Sequence, residues 1–189
     1  MQGLESFHFR LYHEKGSLRL LPGFLIDEVE GDVVNPDKLL VSFNGRYGAG
    51  LAIKTSLIAL GGDSYMTNPL TGRWESVAAK VSPLGFFNPG QGIGAMVLQL
   101  QNVRPLSDGL ADEEVYRLGG DLPSDALSPL LGTTLEDTTV RVELTIDGKD
   151  LYLLRARFSG RVTPTDTDDM VRVITVSAFN EPMDIQAPL

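Results

Sequence analysis

At 189 residues, with 42% hydrophobic and 22% charged side chains, the chain has the length and balance of one globular domain and not of a disordered or fibrous polymer. Its formal net charge of −9 repels phosphate backbones and anionic headgroups, so nucleic acid is not an expected partner and a basic membrane-docking face is not expected either. The absence of cysteine excludes disulfides, thiolate metal sites and thiol nucleophiles from this sequence, and no apolar run is long enough to span a bilayer.

Taken in chain order, most segments alternate with a period of two, the signature of strands with one buried face. Phe7, Phe9 and Leu11 alternate with His8, Arg10 and Tyr12. Leu25, Val29 and Val33 are expected on one face, with Glu28, Glu30 and Asp32 opposite. Leu51, Ile53 and Leu57 alternate with Lys54 and Ser56, and a Gly61-Gly62-Asp63 turn leads into a short strand over 64–67.

The rhythm then changes. Asn88-Pro89 reads as an N-cap followed by Pro at the first helical position, and Ile93, Met96, Val97 and Leu100 fall at i, i+3, i+4 and i+7. Gly90, Gly92 and Gly94 weaken that helix by roughly 1 kcal/mol each relative to Ala. A second short helix is predicted over 124–131, limited by Pro129 and ended by Gly132. Val140, Val142, Leu144 and Ile146 then alternate with Thr139, Arg141, Glu143 and Thr145. Asp147-Gly148 predicts a tight hairpin turn with positive φ angles, with a partner strand from Leu151 to Phe158. The last strand, Met170 to Phe179, is stopped at Asn180-Glu181-Pro182, and a short apolar piece carrying Met183 and Ile185 follows. No repeat or compositional shift divides the chain, so one domain over 1–189 is expected: α+β, mainly β, with a large antiparallel sheet and a few short helices.

Groupings that would carry catalysis are missing. The two histidines, His8 and His13, are five apart on one strand and so face opposite ways. No G-x-S-x-G elbow accompanies any serine. The stretch Gly90-Gln-Gly92-Ile-Gly94-Ala95 matches G-x-G-x-x-A, but Phe86-Phe87-Asn88-Pro89 precedes it where a buried parallel strand is required. Asp166, Asp168 and Asp169 read as a solvated loop, lacking the Gly and Glu that complete an EF-hand calcium pattern. Asp112-Glu113-Glu114 reads as a charge run leading into a strand. No catalytic residue, metal ligand or cofactor is expected, and a hydrolase reading has no nucleophile, base and orienting group to assemble.

Four stretches together resemble one family. They are Phe24 to Asp37 with its G-x-V-V-x-P-D step, Tyr65-Met-Thr-Asn-Pro-Leu-Thr-Gly-Arg-Trp74, Tyr116-Arg-Leu-Gly-Gly-Asp-Leu-Pro123, and Ser177-Ala-Phe-Asn-Glu-Pro-Met-Asp-Ile-Gln-Ala-Pro188. In order and spacing they resemble the LppX/LprAFG lipoproteins, whose fold is similar to that of the carriers LolA and LolB. The resemblance implies a curved antiparallel half-barrel whose short helices cover a concave apolar face. It implies a non-enzymatic protein that binds acylated lipids or glycolipids there and carries or presents them in the extracytoplasmic space of a bacterial envelope. The lipid-contacting residues it implies are Phe86, Phe87, Ile93, Met96, Val97 and Leu100, with Ile53, Leu57, Val142 and Leu144 from the sheet. Met183 and Ile185 are expected to lie along neighbouring surface and close the molecule. The family also carries a leader, a lipidated cysteine and an N-terminal helix. On that basis an anchor to the outer face of the cytoplasmic membrane is expected upstream, Gln2 to Ser6 reads as the stub of the helix, and an envelope transporter is a further expected partner. The alternative is an envelope sensor or assembly factor that binds a protein or lipoprotein partner, around Trp74 or the Asn68-Pro69-Leu70 turn.

Overall fold

Twelve strands, every pair antiparallel, build one sheet in the computed structural model, which describes residues 3–21, 24–77, 89–106, 115–131 and 133–188. In chain order these are β1 (Ser6–Lys15), β2 (Leu18–Leu21), β3 (Phe24–Val34), β4 (Lys38–Tyr47), β5 (Leu51–Leu60), β6 (Asp63–Thr67) and β7 (Trp74–Val77). Helix α1 (Pro89–Leu98) follows, then β8 (Gln101–Pro105), β9 (Val115–Pro123), a 3-10 turn (Ser124–Leu127) and α2 (Ser128–Leu131). β10 (Thr139–Asp147), β11 (Leu153–Ser159) and β12 (Val171–Ser177) complete the chain. The spatial order is β7-β6-β5-β4-β3-β1-β12-β11-β10-β9-β8, with β2 paired to β3 beside it. Among the described residues the outer strands β7 and β8 do not pair with each other, so the curved sheet stays open. This is the mainly β architecture that the sequence predicts.

β1 is the seam. It pairs with β3 on one side and with the last strand, β12, on the other. Its Phe7, Phe9 and Leu11 all point to the concave side and are buried, and Leu11 lies between Val29 and Ile174. Burying each such side chain stabilises the fold by roughly 1.5–3 kcal/mol, which holds the two wings of the sheet to one core.

Two glycines let the β3–β4 wing bend. An added Cβ at Gly31 would lie 2.2 Å from the Leu40 carbonyl oxygen, and one at Gly45 would lie 2.2 Å from that of Leu25. Only glycine permits such an approach of neighbouring backbones. The same wing departs from simple alternation at a bulge between Ile26 and Glu28. The extra residue turns Ile26 to the concave side, where it is buried, and leaves Leu25 half-buried. Leu25 therefore does not share the face of Val29 and Val33, because a bulge reverses the pattern on passing through it.

Other local expectations change as well. The β10–β11 connection is not a two-residue turn. Asp147 accepts the amides of Lys149 and Asp150 on Oδ2 at 3.0 and 2.6 Å, and the positive φ, 57°, falls on Leu151 and not on Gly148. The second helix is split into the 3-10 turn and α2, with Pro129 inside the latter. No helix occupies 3–6: Gly3 to Glu5 form turn and bend, and Ser6 opens β1. That start is tied to the chain's end, with the Glu5 amide donating to Asn180 Oδ1 at 2.8 Å and Ser6 Oγ to the Glu181 carbonyl at 2.6 Å. Ile185 is buried, and Phe179 packs against Tyr152 with ring centroids 4.7 Å apart. The piece beyond Pro182 thus lies on the fold as expected.

Candidate functional site

Among the described residues the concave face carries a long apolar surface that helices cover. Period-two alternation sends Val140, Val142 and Leu144 of β10, Ala156 and Phe158 of β11, and Ile174 and Val176 of β12 to this side, and all are buried. On α1 the predicted stripe is observed: Ile93 and Met96 are buried, while Val97 and Leu100 are half-buried against the same cluster. Leu100 reaches β9 because Gly120 stands there; a Cβ at that position would lie 2.9 Å from Leu100 Cγ. Leu127, Leu130 and Leu131 cover the neighbouring part of the sheet. Between them and Leu11, Phe158, Arg172 and Ile174 runs a narrow apolar crevice with no room for a water molecule.

Of the residues implicated by sequence, Leu57, Ile93, Met96, Val142 and Leu144 belong to one continuous cluster, with Val97 and Leu100 packed on it. Ile53 stands outside that cluster, half-buried. Phe86 and Phe87 lie outside the described residues, as does Asp112-Glu113-Glu114.

Toward one end the concave face is not sealed. Along β5 the inward row passes from Ala59 at 0% exposure through Leu57 at 3%, half-buried Thr55 (its hydroxyl donating to the Thr67 carbonyl) and half-buried Ile53 to Leu51 at 60%. Tyr47, in register with Leu51, is 52% exposed, and Met66, in register with Leu57, is 38% exposed. Apolar side chains on the inner side of β4–β6 therefore reach from core to solvent, with Phe43 of β4 in register with Thr55 where the β5 row is polar. The convex side differs in chemistry. An open basin of about 580 Å³ there is lined by Lys15, Asp121, Arg141, Ser159, Asp168 and Asp169, among others.

A buried polar group escaped the sequence reading. Asp166 is not a solvated loop acid: its side chain is buried, and so is that of Arg172. Arg172 Nη1 and Nη2 donate to the two Asp166 oxygens at 2.7 and 2.5 Å. The Val162 and Thr163 amides donate to Oδ2 at 2.8 Å each, and the Thr163 hydroxyl donates to Oδ1 at 2.6 Å. Burial pushes the Asp166 carboxyl up, but the hydrogen bonds from Arg172 and Thr163 outweigh it and hold the pKa at about 2. The local signal was an arginine inside the otherwise apolar run Val171-Arg-Val-Ile, near an acid held by Thr163-x-x-Asp166. Asp168, by contrast, is exposed.

The histidines face opposite ways, as their spacing predicts. His8 Nδ1 lies 2.7 Å from Asp32 on the convex side, and His13 Nδ1 donates to the Asp27 carbonyl at 3.3 Å. Glycines 90, 92 and 94 fall within α1 itself and not in a strand-to-helix turn.

An open, curved antiparallel sheet with short helices on its apolar concave face is a half-barrel scaffold. The chain belongs to the LppX/LprAFG lipoprotein family, which it matches over residues 1–185. Among solved structures it is similar to LprF from Mycobacterium bovis, at 19% identity and a TM-score of 0.67, over 98% of this chain and 90% of that one. At that identity the likeness shows the fold. A LolA superfamily protein from Nitrosomonas europaea matches at 14% identity and a TM-score of 0.32, over 94% of this chain and 86% of that one. No curated protein sequence matches. Among the described residues no helix is long and apolar enough to cross a membrane.

Proposed function

We propose that this protein is a non-enzymatic lipoprotein of the bacterial envelope that binds the acyl chains of a lipid or glycolipid against its concave face and carries or presents them outside the cytoplasmic membrane. The observation that carries the reading is the inner face of β4–β5, which runs from buried Ala59, Leu57 and Val41 past Phe43 and Ile53 to exposed Leu51 and Tyr47, with Thr55 the one polar residue in the β5 row. The Thr55 hydroxyl donates to the Thr67 carbonyl, so a tail entering beside Phe43 leaves no hydroxyl donor unpaired. Moving a 16-carbon acyl chain from water onto apolar surface is worth on the order of 10 kcal/mol, at ~0.8 kcal/mol per methylene. That is enough to displace short covering elements whose own contacts are apolar. Leu57, Val142 and Leu144 would form the floor, Ile53 the rim, and Ile93, Met96, Val97 and Leu100 the cover, with Phe86 and Phe87 preceding it in the chain. Met96 suits this role because an unbranched thioether adapts to ligands of differing shape. A lipid anchor would place the protein at the outer face of the membrane, where it exchanges lipid with the bilayer or with an envelope transporter. Mass spectrometry of organic extracts of the purified protein is expected to reveal co-purifying acyl lipid, and an added lipid is expected to displace a fluorescent acyl probe. Finding neither would sink the proposal.

A second reading draws on Leu70, 83% exposed at the tip of the β6–β7 hairpin beside half-buried Trp74. There the fold would serve an envelope sensor or assembly factor that docks a protein or lipoprotein partner. Pull-downs with wild type and Leu70→Ser separate the readings, since loss of a partner with lipid binding unchanged favours the second.

A further inference from the structure

Arg172 projects from β12 to the concave side, flanked in register by His13 of β1 and Phe158 of β11. Asp166 occupies its two terminal nitrogens. The third donor, Nε–H, is buried and has no partner among the described residues. Beside it, His13 Nδ1 faces a carbonyl oxygen, which can only accept, so this nitrogen carries the ring proton. Nε2 is then a lone pair, and it too is buried without a partner. Burial lowers the His13 pKa, and the Arg172 charge adds to that. The ring is therefore neutral near pH 7.

An orphan donor and an orphan acceptor on adjacent strands match a single chemical group. A hydroxyl can accept from Arg172 Nε–H and donate to His13 Nε2 at once. The surroundings fix the rest of the ligand. Arg172 lines the crevice formed by Leu11, Leu127, Leu130, Leu131, Phe158 and Ile174, so a group entering there meets the arginine over apolar surface; His13 is outside that lining and lies next to Arg172 in register on β1. The Arg172–Asp166 pair carries no net charge, so an anionic phosphate would enter uncompensated.

We propose that Arg172 and His13 form the polar end of a ligand subsite beneath α2, which takes a neutral hydroxyl group borne by an acylated lipid. This rests on the lipid-binding reading and adds what the site selects. Because the crevice is closed to water, entry moves α2 outward. That helix is four residues long, and an acyl chain replaces the contacts of Leu130 and Leu131 with others of the same kind.

The test uses the whole protein and soluble short-chain probes: 1,2-dioctanoylglycerol, its 3-deoxy analogue, and the glycosylated form of the same glyceride. Each is measured by displacement of a fluorescent acyl probe. The hydroxylated ligand is expected to bind about tenfold more tightly than the deoxy analogue, since a site built around a hydroxyl rejects the ligand lacking it. If the glycosylated form keeps the tight binding, a sugar hydroxyl serves as well; if it binds like the deoxy analogue, the glycerol hydroxyl is the one recognised. In His13→Leu, and in the double variant Asp166→Leu/Arg172→Met, the preference is expected to fall to about onefold while the deoxy analogue binds as before. Equal binding of the first two probes by the wild type overturns the subsite alone, and so does an undiminished preference in His13→Leu. Failure of all three probes to displace the dye overturns the carrier reading with it.

Discussion

The two wings that meet at β1 solve the same problem differently. On the β9–β12 side the inner face is sealed: Leu122, Val142, Ala156 and Ile174 are all buried, helices lie over them, and an ion pair is enclosed. On the β3–β7 side the same alternation ends in Tyr47, Leu51 and Met66, which are more than one-third exposed. In the sealed wing both oxygens of Asp166 are satisfied, by Arg172, by Thr163 and by the Val162 amide. The open wing needs no such closure, because its inward row meets solvent. The half-barrel thus sets a closed wing beside one whose inner side chains reach solvent.

The largest expected effect tests the sealed wing. Replacing Asp166 by Asn leaves the Arg172 charge buried without its partner and is expected to cost about 3–5 kcal/mol in urea unfolding. The double change Asp166→Leu/Arg172→Met removes both charges and is expected to be near neutral. A double variant as unstable as the single one would mean that the pair is not the feature that matters. The pH dependence follows from the same geometry. The Asp166 pKa is about 2 when folded against an ordinary 3.8, so its contribution is present above pH ~4 and is lost as pH falls toward 2. The loss is about 2 kcal/mol, absent in the double variant.

The next comparison sets one wing against the other directly. Leu144→Ala in the sealed wing is expected to cost about 2–5 kcal/mol, because its neighbours cannot collapse into the gap. Ile53→Ala in the open wing is expected to cost less than about 1 kcal/mol, since half of that side chain already meets water. Similar losses at the two positions would erase the distinction. Gly31→Ala probes the bend within the open wing. Its new methyl would meet the Leu40 carbonyl, and a cost of about 1–3 kcal/mol is expected from the forced separation of β3 and β4. A neutral result would mean that the curvature is set elsewhere.

Much of this contrast is written in the sequence, and the reason is local. The alternation in β1, β5 and β10 and the i, i+3, i+4 stripe of α1 depend only on strand and helix periodicity, so Phe9, Leu57, Val142 and Met96 are found where those periods put them. What eluded that reading involves residues whose surroundings come from distant parts of the chain. Arg172 alternates with Val171 and Val173 as a solvent-facing residue would, yet both faces of β12 are buried, because β1, β11 and the helices enclose it. Asp166 resembles its acidic neighbours Asp168 and Asp169 until the strand after it supplies a guanidinium. The Ile26–Glu28 bulge reverses one face with no glycine or proline to announce it. Exposure at the rim is equally silent, since Leu51 and Leu57 are the same residue type in the same strand.

The smallest effect on stability tests the open wing most sharply. Leu51→Asp places a charge at the exposed end of the inner row, where no packing is lost, and folding is expected to change by less than about 0.5 kcal/mol. If tails enter over this rim, the substitution removes roughly 1.5 kcal/mol of apolar contact and adds a desolvation cost, weakening an acyl probe by about tenfold or more. Leu70→Asp is the matched control: it is still more exposed, but lies on the β6–β7 hairpin and not on the inner row. Unchanged probe affinity in Leu70→Asp beside a tenfold loss in Leu51→Asp locates entry at the β4–β6 rim. Equal losses, or none, would show that exposure of the inner row is incidental and that tails reach the concave face by another route.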